Sequence, residues 1–410
     1  MPVAPAVKSS WNTWIEVDPS AIRRNTAAVC RFVGAAVQVM AILKADGYGH
    51  GALAAARAAL AGGASWLGVA NAAEGAELRH AGIEAPVLVL GCGLPDQAGD
   101  VIEHALAQTL ATQEMARALS AAALRQAQGR PCTAGSGRPE QSRGAATAAG
   151  REVSVHIKVD TGMGRLGVRP HEALAFARLV ADLPGLRIEG IYSHLATADH
   201  DDASYALEQL RCFRQVLSEL AQHGITAPLR HLANSAAVVR FPEMRFDIVR
   251  AGLLVYGLNP LARELTEIEL RPALSWKSRV ACVKDMPSGQ RLSYNGLYTT
   301  PRRMRIACVP VGYADGFPRA LSNVGSVLVA GQRRAVVGAV CMDQMLVDVG
   351  GVEAKVGDEV VLIGEQGGQR ISANDIAAAQ GTVVHEIVAR LGKRVPRIHL
   401  DDDAGQEPNP

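Results

Sequence analysis

The chain has no run of about 18 apolar side chains anywhere in its 410 residues, so no segment reads as a membrane-spanning helix. The first twenty residues, MPVAPAVKSSWNTWIEVDPS, lack the uninterrupted apolar core of a secretory signal. The expectation is a soluble cytoplasmic protein. An excess of one charge is missing too: 42 basic and 40 acidic side chains leave a formal charge of +2. There is no basic tract, and aromatic residues make up only 4% of the chain. This argues against a nucleic-acid partner and for a small molecule. The seven cysteines (Cys30, Cys92, Cys132, Cys212, Cys282, Cys308 and Cys341) show no C-x-x-C spacing, and their number is odd. That pattern speaks against a zinc knuckle or a disulfide framework and predicts ordinary buried thiols, with no metal site.

What the chain does have is alternation. From about residue 36 to 252, apolar β-branched runs alternate with alanine- and leucine-rich helical runs, the pattern of parallel β/α units. Eight strands are predicted, at 36–44, 65–71, 86–91, 107–111, 152–160, 186–195, 229–234 and 246–252. Eight units suit a closed (β/α)8 barrel of the TIM type, an α/β fold. After about residue 265 the texture changes to short strand-like runs with glycine turns, predicting a mainly β C-terminal domain. A helix over about 372–391 and the strand RVPRIHL end the reading. The expected domains are therefore 12–265 and 266–402. Residues 127–151, rich in Gly, Ala, Ser, Arg and Pro, are predicted to form a mobile surface insertion.

In such a barrel the chemistry sits at the C-terminal ends of the strands. Lys44, Lys158 with Asp160, His194, Asn234 with Ser235, and Arg250 all fall there. Lys44 follows the apolar run VMAIL, where loss of hydration would lower its pKa toward the range useful for Schiff-base chemistry. Tyr48, four residues on, could reach a phosphate. The loops after strands seven and eight, the usual phosphate cradle of a barrel, offer Ser235 and the backbone N–H groups of Gly252 and Leu253. An ordinary helix cap and a turn glycine are the plainer alternatives. Gly162-Met163-Gly164-Arg165-Leu166-Gly167 satisfies the G-x-G-x-x-G pattern of dinucleotide-binding folds, with Glu189 downstream. Four strand–helix units already precede it, Arg165 intrudes into the turn and Glu189 falls mid-strand, so a dinucleotide site is disfavoured.

The blocks AILKADGYGHG, HIKVDTGMGRLG, YSHLATAD, HLANSAA, VRAGLLVYG, SYNGLY, PVGYADG, VCMDQ and RVPRI resemble the alanine racemase family in order and spacing, over about residues 12–398. The resemblance implies a pyridoxal-phosphate (PLP) enzyme with Lys44 as the Schiff-base lysine and one base. Tyr294 would be the opposite base, reaching in from the other subunit of a homodimer. It further implies that Arg250 meets the pyridine nitrogen and that His194 lies against the ring, linking Arg250 to Tyr294. Tyr48, Ser235, Gly252 and Leu253 would hold the phosphate, with Asn234 beside them. Arg165 would orient the substrate carboxylate or the Tyr294 phenol, with the backbone of Met342 assisting from the partner subunit. Lys158 resembles a lysine carbamylated in many members (N6-carboxylysine), and Tyr313 a gate residue. Two positions depart from the family pattern: Ala339 stands where arginine is frequent, and His385, also at the gate, where tyrosine is frequent. More room at the mouth of the pocket, and a wider substrate range reaching serine, are the expectations from these two.

Removing and returning a Cα proton needs an electron sink and proton donors on opposite faces, and the implied PLP, Lys44 and Tyr294 supply them. The alternatives are a serine or broader-specificity racemase, a PLP decarboxylase of the same architecture and a non-catalytic PLP-binding protein. The decarboxylase would need glycine-rich phosphate loops that the chain lacks. The binding protein would not require Tyr294.

Overall fold

The structure is a computed structural model describing residues 11–129 and 152–400. All eight predicted barrel strands are present, each shorter than its apolar run: β2 (Gln38–Ile42), β3 (Trp66–Val69), β4 (Val87–Val89), β5 (Ala107–Leu110), β6 (Val153–Lys158), β7 (Leu186–Tyr192), β8 (Leu229–His231) and β9 (Ile248–Ala251). They pair in parallel in the order β8-β7-β6-β5-β4-β3-β2-β9. The last gap is bridged by two backbone bonds: the Asp247 N–H donates to the Arg230 carbonyl at 3.1 Å and the Arg250 N–H to Ala233 at 3.0 Å. Strands covered on both faces read as continuous apolar runs, which is why β3, β4 and β9 are buried throughout.

One strand is not where chain order suggests. The segment β1 (Thr13–Val17) falls inside the expected barrel domain of 12–265, yet it pairs antiparallel with β10 (Leu274–Arg279) and parallel with the strand Arg397–His399. It thus joins the ten-stranded sheet system of the C-terminal part. A closed barrel has no edge to offer a ninth strand, whereas the β part has one beside β10. Asp18 then caps the helix Pro19–Val33, accepting from the Ala21 N–H at 3.0 Å, and the chain enters the barrel.

The predicted helix over 372–391 is two helices, Ala373–Gln380 and Val384–Ala389. Gly381, at φ 73°, ends the first in the left-handed conformation that glycine adopts without steric cost. This break turns the second helix so that His385 meets Tyr48, their ring centroids 5.7 Å apart. The helix Gln113–Ala127 runs into the start of the predicted insertion; residues 130–151 lie outside the described residues. The six described cysteines are free but only partly buried, not the buried thiols expected. Cys132 lies outside the described residues.

Candidate active site

Lys44 stands two residues past the end of β2, and the backbone beyond it is left-handed for five consecutive residues: Ala45, Asp46, Gly47, Tyr48 and Gly49 have φ of 54°, 53°, 60°, 53° and 77°. Left-handed backbone costs a residue with a Cβ roughly 1–2 kcal/mol, so Ala45, Asp46 and Tyr48 need outside support. The support is visible. The Ala45 N–H donates to Glu74 at 2.9 Å, the Ala52 N–H to Asp46 at 2.8 Å, and Arg397 grips the Gly49 carbonyl at 3.2 Å. The turn sends the Lys44 ammonium toward the solvent-open mouth of the barrel, 6.0 Å from the centre of the Tyr48 ring. Desolvation, then the cations Arg165 and Arg250, lower its pKa, while Glu74 opposes them.

At the centre lies Arg250, 4% exposed. Its guanidinium donates to the Ser193 and Leu232 carbonyls at 2.7 and 3.0 Å, to His231 Nδ1 at 2.9 Å and to His194 Nδ1 at 3.2 Å. Tyr192 lies 5.1 Å from it. Because arginine only donates, both histidines must accept at Nδ1 and carry their proton on Nε2. His231 Nε2 then donates to His156 Nδ1 at 2.9 Å, leaving the His156 Nε2–H buried without a partner among the described residues. Burial and the neighbouring cations hold His194 and His231 well below the ordinary imidazole range, and His156 at about 3, so this chain is neutral at physiological pH. Burial lowers Arg250 itself to about 10, still high enough to keep it charged at neutrality.

Lys158, at the end of β6, sits 5.3 Å over the Tyr192 ring and is 7% exposed. Burial and the charges of Arg250 and Arg165 bring its pKa to about 8. Arg165 is exposed on the loop after β6, and its charge acts on Lys44, Lys158 and His194 alike. Asp160 does not pair with it, accepting instead from the Gly162 and Gly164 N–H groups at 3.1 and 3.0 Å. The glycine motif therefore shapes a barrel loop, and Val168 returns to bridge Val159 rather than opening a dinucleotide-binding helix. Glu189, mid-strand in β7, pairs with Arg187 at 3.3 Å.

Beside the Lys44 turn, where β9 pairs with β2, the loops after β8 and β9 meet. Asn234 caps the helix Ser235–Arg240 through the Ala237 N–H at 3.0 Å, so its side chain is engaged in capping. Ser235 Oγ accepts from the Gly252 N–H at 2.9 Å and the Leu254 N–H at 3.5 Å. A Cβ at Gly252 would lie 2.8 Å from the Tyr48 phenol oxygen, so only glycine lets this backbone come so close to the tyrosine. Burial pushes the Tyr48 phenol up, keeping it a neutral donor. Tyr48, Ser235, Gly252 and Leu253 are thus brought together, with His385 beside Tyr48.

Tyr294 is not among them. Its phenol makes no hydrogen bond among the described residues, and the side chain is 71% exposed. The turn that carries it is anchored: Ser293, at φ 64°, donates to the Ala339 carbonyl at 3.1 Å and accepts the Ala339 N–H at 3.0 Å. Ala339 is buried under that turn. Tyr313 and Met342 are also exposed, and Met342 O accepts the Ala314 N–H at 3.0 Å. Arg394 ties this loop pair together, reaching Asp315 at 2.7 Å and Asp343 at 2.6 Å.

Sequence reasoning missed the polar residues inside the barrel. His156 and His231 lie within strand runs where apolar neighbours masked them. Gln209 sits on a helix, fully buried, donating to Thr161 and the His194 carbonyl and accepting the Ala196 N–H at 2.8 Å. A glutamine on the apolar face of the 202–223 helix was the available signal.

Residues 17–260 match the alanine racemase N-terminal domain and residues 273–399 the alanine racemase C-terminal domain. The alanine racemase of Desulforamulus reducens is 44% identical over 390 residues, 94% of this chain and 98% of that protein. That of Symbiobacterium thermophilum is 44% identical over 96% of this chain and 98% of its own length. Among solved structures, alanine racemase from Streptomyces lavendulae superposes with a TM-score of 0.85 at 35% identity, covering 96% of this chain and 98% of that one. The Bacillus anthracis alanine racemase with bound L-Ala-P does so with a TM-score of 0.85 at 36% identity, covering 97% of each chain. With both of its halves matched and its relatives aligned from end to end, the chain belongs to the alanine racemase family.

Proposed function

We propose that this protein interconverts L- and D-alanine with PLP held by Lys44. The observation that carries the reading is the convergence of Lys44, Lys158, Arg165 and Arg250 in one site, where Glu74 opposes them at Lys44 and Asp160 at Lys158. Such a pocket fits a cofactor with an anionic phosphate and a substrate with a carboxylate. The Tyr48–Ser235–Gly252 cradle, which a Cβ at Gly252 would fill, suits the phosphate, with Leu253 and Asn234 at its rim. The names of the relatives, all alanine racemases, support the substrate.

Bound PLP supplies an electron sink for the electrons left when the Cα proton departs. The remaining chemistry belongs to the protein. Lys44 takes or returns the proton on one face, and the partner subunit's Tyr294 acts on the other. His194, with its Nε2–H directed away from Arg250, aligns that phenol, while Arg250 stays a pure donor because its guanidinium remains protonated at neutrality. Arg165 and the Met342 backbone orient the substrate carboxylate, and Tyr313 and His385 narrow the approach. Two copies of the chain share each site in a cytoplasmic homodimer. The boundary between barrel and β domain is assigned near residue 265, between the two matched regions.

Purified protein incubated with L-alanine should yield an equal mixture of both enantiomers by chiral chromatography. The same assay on a panel of L-amino acids, serine included, sets the substrate range. No inversion of any amino acid would overturn the proposal.

Lys158 supplies a prediction with a pH sign. Only an uncharged amine attacks CO2, giving a carbamate and releasing a proton. Lys158, at about 8, is largely protonated below that pH and largely neutral above it. At fixed CO2 pressure, carbamate on Lys158 should therefore rise as pH climbs through about 8, turning one of four cations into an anion facing Arg165 and Arg250. A 13C resonance from labelled CO2, absent in Lys158→Ala, would report it. Free amine at every pH would leave Lys158 uncarbamylated, a buried cation below about 8.

A further inference from the structure

We infer that Glu74 is a positioning residue for the reaction, holding the peptide between Lys44 and Ala45 in its left-handed conformation and supplying the carboxylate that faces the Lys44 amine. The inference rests on the reading of Lys44 as the cofactor-bearing base.

Glu74 occupies the third position of the helix Ala72–His80, capped by Asn71, which accepts the Glu74 N–H at 3.0 Å. A glutamate there would ordinarily reach back to the N–H of its own cap residue. This one does not. Its Oε2 accepts the Ala70 N–H at 2.7 Å, at the end of β3, and its Oε1 crosses to the neighbouring unit to accept the Ala45 N–H at 2.9 Å. One carboxylate thus clamps the chain leaving two adjacent barrel strands, and the second of those chains begins at Lys44. The clamp falls on the first residue of the left-handed run, the point from which the direction of the Lys44 side chain is set.

The charge has a second effect. The groups facing the Lys44 amine are Arg165 from the loop after β6, Arg250 from β9, His194 after β7, His385 from the helix Val384–Ala389, Tyr48 and Glu74. Among the described residues, Glu74 is the carboxylate acting on that amine, and it works against both arginines. Removing it should lower the Lys44 pKa further.

Two substitutions separate position from charge. Glu74→Gln offers one acceptor oxygen to two N–H donors and turns its own NH2 toward the other, losing both the clamp and the charge. Glu74→Asp keeps the charge on a shorter arm, so the clamp slackens while the carboxylate remains. In the loaded, full-length protein, Glu74→Gln should lower kcat about 10- to 100-fold, the effect of a misplaced reacting group, with KM changed less than about threefold. Backbone hydrogen exchange over residues 43–49 should accelerate while the other barrel strands keep wild-type protection. After the cofactor is stripped, the pH profile of Lys44 labelling by an amine-directed reagent should move to lower pH in Glu74→Gln. In Glu74→Asp it should stay near wild type although kcat falls.

A folded Glu74→Gln protein with wild-type kcat and wild-type exchange over 43–49 would overturn the positioning role, as would exchange accelerated uniformly across the barrel. An unmoved labelling profile would overturn the electrostatic part. Borohydride mapping of the wild type distinguishes the two levels: cofactor fixed to a different lysine would remove the premise and the inference together, whereas cofactor fixed to Lys44 leaves Glu74 to stand or fall on kcat and exchange alone.

Discussion

Borohydride reduction of the loaded protein is expected to fix the cofactor to Lys44, and Lys44→Ala to lose about 10^3-fold or more of the racemisation rate, within the range for removal of a catalytic base. The rival is Lys158, whose pKa of about 8 makes it a plausible nucleophile by chemistry alone. Position decides between them. Lys158 lies over the Tyr192 ring and is 7% exposed. Lys44 opens to the barrel mouth beside Tyr48, the residue whose phenol nearly touches Gly252 in the phosphate cradle. A lysine that must both carry a cofactor and reach its substrate needs that opening. Lys158→Ala should consequently retain cofactor on Lys44, and peptide mapping of the reduced protein reads both outcomes. Cofactor fixed to Lys158, or undiminished turnover by Lys44→Ala, would defeat the assignment.

The placing of Lys44, Lys158, His194 and Arg250 toward the C-terminal ends of strands was legible because barrel periodicity is local: each apolar run announces its own strand. The pairing of β1 was not legible, since TWIEV alternates in the same way whichever sheet receives it. Only the absence of a free barrel edge sends it to β10 and Arg397–His399. The break at Gly381 was within reach, as glycine followed by β-branched threonine ends a helix more readily than it continues one. Contacts across the barrel were beyond reach. That His231 takes a hydrogen bond from Arg250 and gives one to His156, or that Glu74 reaches Ala45 across a unit boundary, depends on strand register and stagger that no single run encodes. Such polar groups are identified by their partners, and the partners lie 19 to 75 residues away.

Mixing two inactive proteins should restore activity. Tyr294 is 71% exposed, on an anchored turn of the β domain, and among the described residues it makes no hydrogen bond or ring contact to Lys44, Tyr48, Arg250 or His194. Leu297, Tyr313 and Met342, all large and apolar, are exposed in the same domain at 51%, 41% and 53%, a surface suited to burial against a second copy. If the second copy brings its Tyr294 to this chain's Lys44, a dimer of one Lys44→Ala chain and one Tyr294→Phe chain has one site with both defects and one site with none. Each homodimer should be nearly inactive. After subunit exchange at equal concentrations, random pairing makes about half the dimers mixed and repairs one of their two sites, so about a quarter of wild-type activity should return. Were the tyrosine to serve its own chain, every site would keep one defect and exchange would restore nothing. Tagging the two chains differently and isolating doubly tagged dimers raises the expected value to about half. That isolation also guards against failed exchange. Doubly tagged dimers without activity would reject the shared site even if Lys44 and Tyr294 each proved essential, because essentiality is common to both arrangements and only complementation tells them apart.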